Sequence, residues 1–341
     1  MYRNLLKLVI TGFWLGWGIS LTGLAQQPKL AQSGFQFLSV VTDARVAALG
    51  GAFTARFGNS ASVFYNPATV AFVPGFVDLS LSRTQWIADI NYFSGSFTMN
   101  PSGGRWGQFT VSILSVDYGT IQGTILDPTT EQGFQDTELL HPYAYAVGIG
   151  YAKMFTPRFA FGAHIKYVSQ YLGNAYIPNP GGGEPLSKQY QAGVVAVDFG
   201  TIYKVGIKSL VFGMSVQNFA QEIKYESEGF QLPMVFNIGV AMNVLDVFAP
   251  ENERHALILS FDANHPRAAL EQIKFGAEYH FLKVLALRVG YHANVDERNF
   301  SFGVGIQKSL GRKGGKIAID YAYTPFGIFN AVQHFTVRFA M

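Results

Sequence analysis

Large apolar residues recur at every second position along much of the chain. Leu285, Leu287, Val289 and Tyr291 share one face of an extended segment, and Ala286, Arg288, Gly290 and His292 share the other. Phe300, Phe302, Val304 and Ile306 alternate with Ser301, Gly303, Gly305 and Gln307 in the same way, and Ile317, Ile319, Tyr321 and Tyr323 with Ala318, Asp320, Ala322 and Thr324. Residues 77–84, 143–152, 159–168, 210–217 and 275–280 repeat the pattern. A helical period of 3.6 would mix both classes on one face, so these windows are strands. Extending the pattern predicts strands near 76–86, 89–99, 106–116, 143–153, 159–171, 190–203 and 210–219. It continues at 234–243, 256–264, 272–281, 285–293, 299–308, 316–324 and 331–341. That is an all-β chain of about 14 strands, an even number, most of them near the 9–13 residues of a tilted membrane-spanning strand.

Alternation alone does not separate a soluble barrel from a membrane barrel. The composition of the second face does. It is mostly Gly, Ala, Ser and Asn, with single charges such as Asp262, Lys274, Glu278, Arg288, Asp320 and Arg338. A water-facing exterior would be rich in Lys and Glu. Small residues with sparse mixed charges suit a crowded lumen, with the aliphatic and aromatic face turned to lipid. The six charges are expected to form a lumen network that braces barrel and plug, with the lining of a solute path as the alternative.

The connections agree. The longest, 117–142, 172–189 and 220–233, are the third, fifth and seventh, so they fall on one side of the membrane. Those between them are short, except 244–255, which has room for a short helix or a docking surface. Long outer loops and tight periplasmic turns are the topology of an outer-membrane barrel. The run Pro178-Asn179-Pro180-Gly181-Gly182-Gly183 suits an exposed, adaptable loop. Phe335, Val337, Phe339 and Met341 carry an apolar face to the last residue, as expected of a strand that closes the sheet.

Composition sharpens the picture. The 341 residues include 37 Gly, 30 Phe, 17 Tyr and no Cys, and only 14% are charged. Disulfide scaffolds and cysteine-ligated metals are excluded, and the apolar content is too high for a disordered chain. Met1 to Lys7 carries Arg3 and Lys7, residues 8–24 are apolar, and Gly23-Leu24-Ala25 offers a small-residue cleavage site. Residues 1–25 therefore read as a cleaved signal peptide, with a retained anchor as the alternative. Removing two of the 25 basic residues leaves them nearly balanced against 22 acidic ones, which gives no basis for nucleic-acid binding.

Residues 26–75 lack clean alternation. Their light charge and Ala/Gly content suit a plug inside the lumen, against the alternative of a loose periplasmic extension. Gly50 and Gly51 allow a tight turn or close packing, and Asn66-Pro67 can start a turn or helix. The barrel proper is then 76–341. Asp43-Ala44-Arg45 with Ala48-Leu49-Gly50-Gly51, followed by Asn66-Pro67-Ala68, resembles the N-terminal signature of the PorV/PorQ family. Trp86-Ile87-Ala88-Asp89-Ile90-Asn91-Tyr92, Gly276-Ala277-Glu278-Tyr279 and Leu287-Arg288-Val289-Gly290-Tyr291 resemble it at the same relative places. That family is similar in fold to the FadL-type fatty-acid channels, whose N-terminal hatch carries an Asn-Pro-Ala motif. The resemblance implies an outer-membrane component of type IX secretion. Its partners would be secreted proteins with a C-terminal signal domain, a translocon component, or both. On this reading the hatch residues are Asp43, Arg45, Gly50, Gly51, Asn66, Pro67 and Ala68.

No motif for chemistry stands out. There is no H-E-x-x-H and no G-x-S-x-G, and no His begins an H-x-S pair. Gly303 to Ser309 lacks the Gly before Lys that a phosphate loop needs and reads as a strand. No cofactor is implied. The expected function is a non-enzymatic, secretion-linked barrel in the bacterial outer membrane that binds partners through its outer loops. The alternative is a FadL-like channel for a lipid or other hydrophobic small molecule.

Overall fold

The computed structural model describes residues 33–177, 186–250, 254–295, 298–311 and 315–341. The expected signal peptide and the Pro178–Gly183 run lie outside these residues. Fourteen antiparallel strands close on themselves. In chain order the first half is β1 (Val77–Gln85), β2 (Asn91–Met99), β3 (Gln108–Asp117), β6 (Tyr143–Thr156), β7 (Phe159–Ile177), β8 (Leu186–Lys204) and β9 (Val211–Ala220). The second half is β12 (Val235–Asn243), β13 (Ala256–Pro266), β14 (Gln272–Phe281), β15 (Leu285–Ala293), β16 (Phe300–Leu310), β17 (Gly315–Phe326) and β18 (Phe329–Ala340). Closure is made by β1 against β18, with Leu81 opposite Val337. Each predicted strand falls on one of these fourteen.

The two faces separate as the alternation requires. In β3 burial and exposure alternate at every residue. Val289, Phe302, Val304, Ile306 and Ile319 are exposed, whereas Arg288, Ser301 and Asp320 are buried. Among the described residues no helix is long and apolar enough to cross a membrane. The apolar exterior is instead a belt of strand side chains, and that belt defines a wall in lipid.

The structure changes two connections. Residues 117–142, expected as a loop, contain a hairpin of β4 (Ile121–Leu126) and β5 (Phe134–Leu140) that forms its own two-stranded sheet. The weak alternation there reflects a ladder with no buried face. Of the expected 172–189 loop, residues 172–177 and 186–189 are strand. β7 and β8 each run for 19 residues, about twice the ~9–11 needed to span, so their ladder continues past the apolar belt. A bulge between Tyr171 and Gly173 interrupts its register. A second small ladder, β10 (Ile223–Lys224) with β11 (Gly229–Phe230), sits in the 220–233 loop. The 244–255 connection does hold a short helix, Leu245–Phe248.

Residues 33–75 form short turns rather than strands. They comprise 3-10 turns at Gln36–Ser39, Ser60–Phe64 and Pro67–Phe72, and one helix, α1 (Ala44–Ala48). More than half of their residues are buried, and their partners are inward-facing residues of strands all around the sheet. The segment leads into β1 beside the chain end, where Phe76 and Val77 donate to the Met341 carbonyl at 2.6 and 2.8 Å.

Candidate functional site: the filled lumen and the cavity above it

Asp43 caps α1, its Oδ1 accepting the Val46 N–H at 3.1 Å. Gly50 and Gly51, both with positive φ, end it by donating to the Ala47 and Val46 carbonyls at 3.0 Å. This turn presses on the wall. A Cβ on Gly290 of β15 would collide with the Gly50 N and the Leu49 carbonyl carbon. Asn66 caps the Pro67–Phe72 turn by accepting from Ala68 at 3.1 Å, and it donates to the Thr54 carbonyl at 2.7 Å and to Thr201 of β8 at 3.2 Å. Pro67 occupies the first turn, where its missing N–H costs nothing. Ala68 is fully buried against β8 and β9 neighbours such as Ile202 and Val211.

The charges organise around Glu278, which is fully buried on β14. Arg45 grips it with two hydrogen bonds, Nε to Oε1 at 2.9 Å and Nη2 to Oε2 at 2.7 Å. Arg56 also donates to Oε2, and Arg288 donates Nε to Oε1 at 2.7 Å while its Nη1 reaches Asp320 at 2.6 Å. Three guanidinium groups thus share two wall carboxylates, with Asp43 as a third carboxylate acting on Arg45 and Arg288. Burial, and after it the nearby Asp320, pushes the Asp43 carboxyl above its ordinary value.

The six lumen charges do not form one network. Glu278, Arg288 and Asp320 meet as described. Arg338 instead pairs with Asp78 at 2.6 Å, and Asp78 also accepts the Ser60 N–H at 2.8 Å. Asp262 accepts the backbone N–H groups of Phe53 and Thr54, both at 2.8 Å. Lys274 faces Asp262 in the strand register and lines a cavity. The separation follows from spacing around the wall: Glu278 and Asp262 are bound by residues 45–56, whereas Arg338 and Asp320 pair with the wall residues Asp78 and Arg288.

A second buried cluster, not evident from the sequence, lies across β3, β7, β8 and β9. Ser112 Oγ is 2.7 Å from His164 Nε2, and His164 Nδ1 is 2.9 Å from Asp198 Oδ2. Lys166 Nζ reaches Asp198 Oδ2 at 2.8 Å and Asn218 Oδ1 at 2.7 Å. Asp198 sits at a bulge between β8 and β9, where its Oδ1 accepts the Asn218 N–H at 2.7 Å. The order Ser–His–Asp matches a nucleophile relay in outline. Ser112, however, is in mid-strand, paired with β2 on one side and β6 on the other. The neighbouring backbone N–H groups serve that ladder and offer no oxyanion hole, so the cluster acts as a brace. His164 and Lys166, two apart on one face, were the only signal; the strand register supplies Asp198.

Toward the long-loop end, a cavity of about 310 Å³ lies between residues 33–54 and the wall. Leu38, Val40, Trp86 and Leu114 give it an apolar side, and Lys274, His292 and Arg298 a polar one. Among the described residues no group of His, Asp and Glu is arranged to hold a metal ion.

A closed fourteen-stranded antiparallel barrel with an apolar exterior defines the chain as a bacterial outer-membrane barrel. Residues 122–324, more than half of the chain, match the type IX secretion system membrane protein PorP/SprF family, and the protein belongs to that family. Its association with type IX secretion, expected from the sequence, follows from this membership. The fold is shared with the Ralstonia pickettii toluene transporter TbuX, at 13% identity and a TM-score of 0.56 over 87% of this chain and 97% of that one. The Pseudomonas putida toluene transporter TodX is similar at 15% identity and 0.56, over 87% and 96%. The CymD monoaromatic hydrocarbon channel is similar at 10% identity and 0.54, over 87% and 96%. At these identities the likeness is one of fold alone. No curated protein matches the sequence.

Proposed function

We propose that the protein is a non-enzymatic barrel whose lumen is closed by residues 33–75 and which serves type IX secretion through its outer loops. The observation that carries this reading is the burial of Glu278 under Arg45, Arg56 and Arg288. A wide aqueous path would require those ion pairs to break together, at several kcal/mol. The protein's work then falls to the outer surface, where the β4–β5 hairpin exposes Ile121, Leu126 and Leu139. Its partners are exported proteins with a C-terminal signal domain or a translocon component. Asp43-Ala44-Arg45 and Asn66-Pro67-Ala68 lie upstream of the matched region and support the finer assignment to a PorV/PorQ-like role. Residues 1–25 serve as the cleaved export signal.

A photo-crosslinking residue in place of Leu126, which is 82% exposed, tests this in native outer membranes. Protein adducts identified as secreted cargo or translocon are expected. Adducts to lipid alone would overturn the reading. The second reading, a channel for hydrophobic small molecules, is favoured by the cavity and by the fold shared with hydrocarbon transporters. It predicts solute uptake that is lost on deleting the barrel and independent of secretion.

A further inference from the structure

The two ends of the barrel carry opposite charge. At the short-turn end, which faces the periplasm when the long loops face out, Arg105, Arg158, Lys208, Lys283, Lys308 and Lys316 are exposed. Among the described residues none of these six lies at ion-pair distance from a carboxylate. Lys204 joins them, its N–H donating to the Arg158 carbonyl at 2.7 Å and its Nζ 4.2 Å from the Phe72 ring centroid. Asp78 is buried near this end and is neutralised by Arg338. The other acids gather in one connection, 244–255. Asp246 is held there by Asn243 at 2.6 Å, and the sequence adds Glu251 and Glu253 beside Arg254. The 311–314 connection adds Arg312 and Lys313 to the basic side. The long-loop end is the reverse, since 118–140 contains Asp127, Glu131, Asp136 and Glu138 and no Lys or Arg.

These cations form a collar rather than a patch. Arg105 follows β2, Arg158 follows β6, Lys208 follows β8, Lys283 follows β14, and Lys308 and Lys316 flank the turn after β16. The strand order spreads these points around the closed sheet. Two lysines stand on the lipid-facing side. Lys153 continues the outward row of Val147, Ile149 and Tyr151 on β6, and Lys308 continues that of Val304 and Ile306 on β16. A lysine at the end of such a row extends its ammonium to the level of the head groups. Trp106 and Phe155 are exposed beside them; the Tyr151 hydroxyl donates to the Trp106 carbonyl at 3.0 Å, and the Arg105 guanidinium lies 6.0 Å from the Trp106 ring centroid. Such aromatics mark the membrane–water interface. We infer that this collar binds the anionic head groups of phospholipids in the periplasmic leaflet and so holds the barrel at a fixed depth. A protein docked on one sector would leave most of the collar unmatched, whereas a leaflet presents phosphate on every side. This requires only that the long loops face outward, whatever partner they serve.

Spin-labelled lipids test it, because they report the lipid shell in contact with the wall. The mature barrel is reconstituted into phosphatidylcholine vesicles with spin-labelled phosphatidylglycerol or spin-labelled phosphatidylcholine, and the motionally restricted fraction of each is measured. Phosphatidylglycerol should associate about two- to fivefold more strongly at low salt, and the preference should fade in about 1 M NaCl. The salt comparison needs no variant. Two triple variants, Arg105→Gln with Arg158→Gln and Lys208→Gln, and Lys283→Gln with Lys308→Gln and Lys316→Gln, should each lose part of the preference, with the mobility of the folded species reporting an intact barrel. Equal association of the two lipids, or a preference unchanged by salt or in both variants, would overturn the inference. So would a periplasmic protein, in place of lipid, captured in native outer membranes by a photo-crosslinking residue substituted for Lys308.

Discussion

Arg45 and Glu278, separated by 233 positions in sequence, meet in a two-point ion pair in which the guanidinium Nε and Nη2 each hold one carboxylate oxygen at 2.9 and 2.7 Å. The pair ties α1 to the middle of β14, and Arg56 and Arg288 converge on the same carboxylate. Within a crowded lumen such a group is held by geometry as much as by charge, because each partner leaves the others uncompensated when removed.

Glu278→Ala should therefore destabilise the folded barrel by about 3–5 kcal/mol, the scale for breaking a buried ion pair by deleting one side. Urea unfolding in detergent, followed by the change in electrophoretic mobility of folded and unfolded barrel, measures it. A loss below about 1 kcal/mol would show that the cluster contributes little to stability.

Asp43→Asn tests the sign of a buried carboxyl. Its folded-state pKa is raised, so the folded state holds the proton more tightly than the unfolded chain does. The favourable contribution is complete below the unfolded value and is lost as pH rises through the folded one. Asn keeps an oxygen to cap Val46 and carries no charge, so at pH 7 it should match or exceed the native stability. Asp43→Ala should lose about 1 kcal/mol with the cap. Stability curves for both variants at pH 5 and 8 decide the matter, with the advantage of Asn growing at the higher pH.

Gly290→Val puts carbon where the Leu49–Gly50 backbone already lies. The turn must shift, at about 1–3 kcal/mol. Limited proteolysis should then cut within residues 33–75 while the barrel still migrates as a folded species. Protection equal to that of the native protein would mean that the close approach is absent in solution.

Charge on the outer face should be penalised by depth. Val289→Arg, in mid-strand on the exposed face of β15, should cost about 2–4 kcal/mol, and Phe281→Arg, at a strand end, about 0–1 kcal/mol. Folding titrations into lipid vesicles compare them. Equal costs would place the apolar belt elsewhere on the wall.

All fourteen barrel strands were legible because a period of two, carried by residues such as Phe302, Val304 and Ile306, needs no tertiary information. The weakly alternating β4–β5 hairpin was not legible, since no buried face imposes a pattern on it. The extension of β7 and β8 past the lipid was missed for the same reason: outside the bilayer the exterior no longer has to be apolar.

The chain's alternation alone determined an all-β wall, its even strand number, and which face carries Phe and which carries Gly. Only the tertiary structure decided the pairing of Arg45 and Arg56 with Glu278, of Asp78 with Arg338, and of His164 with Asp198. Side-chain alternation is a local property of a strand. Which lumen charge meets which partner depends on strand register and on the path of residues 33–75, and both are set only when the sheet closes around them.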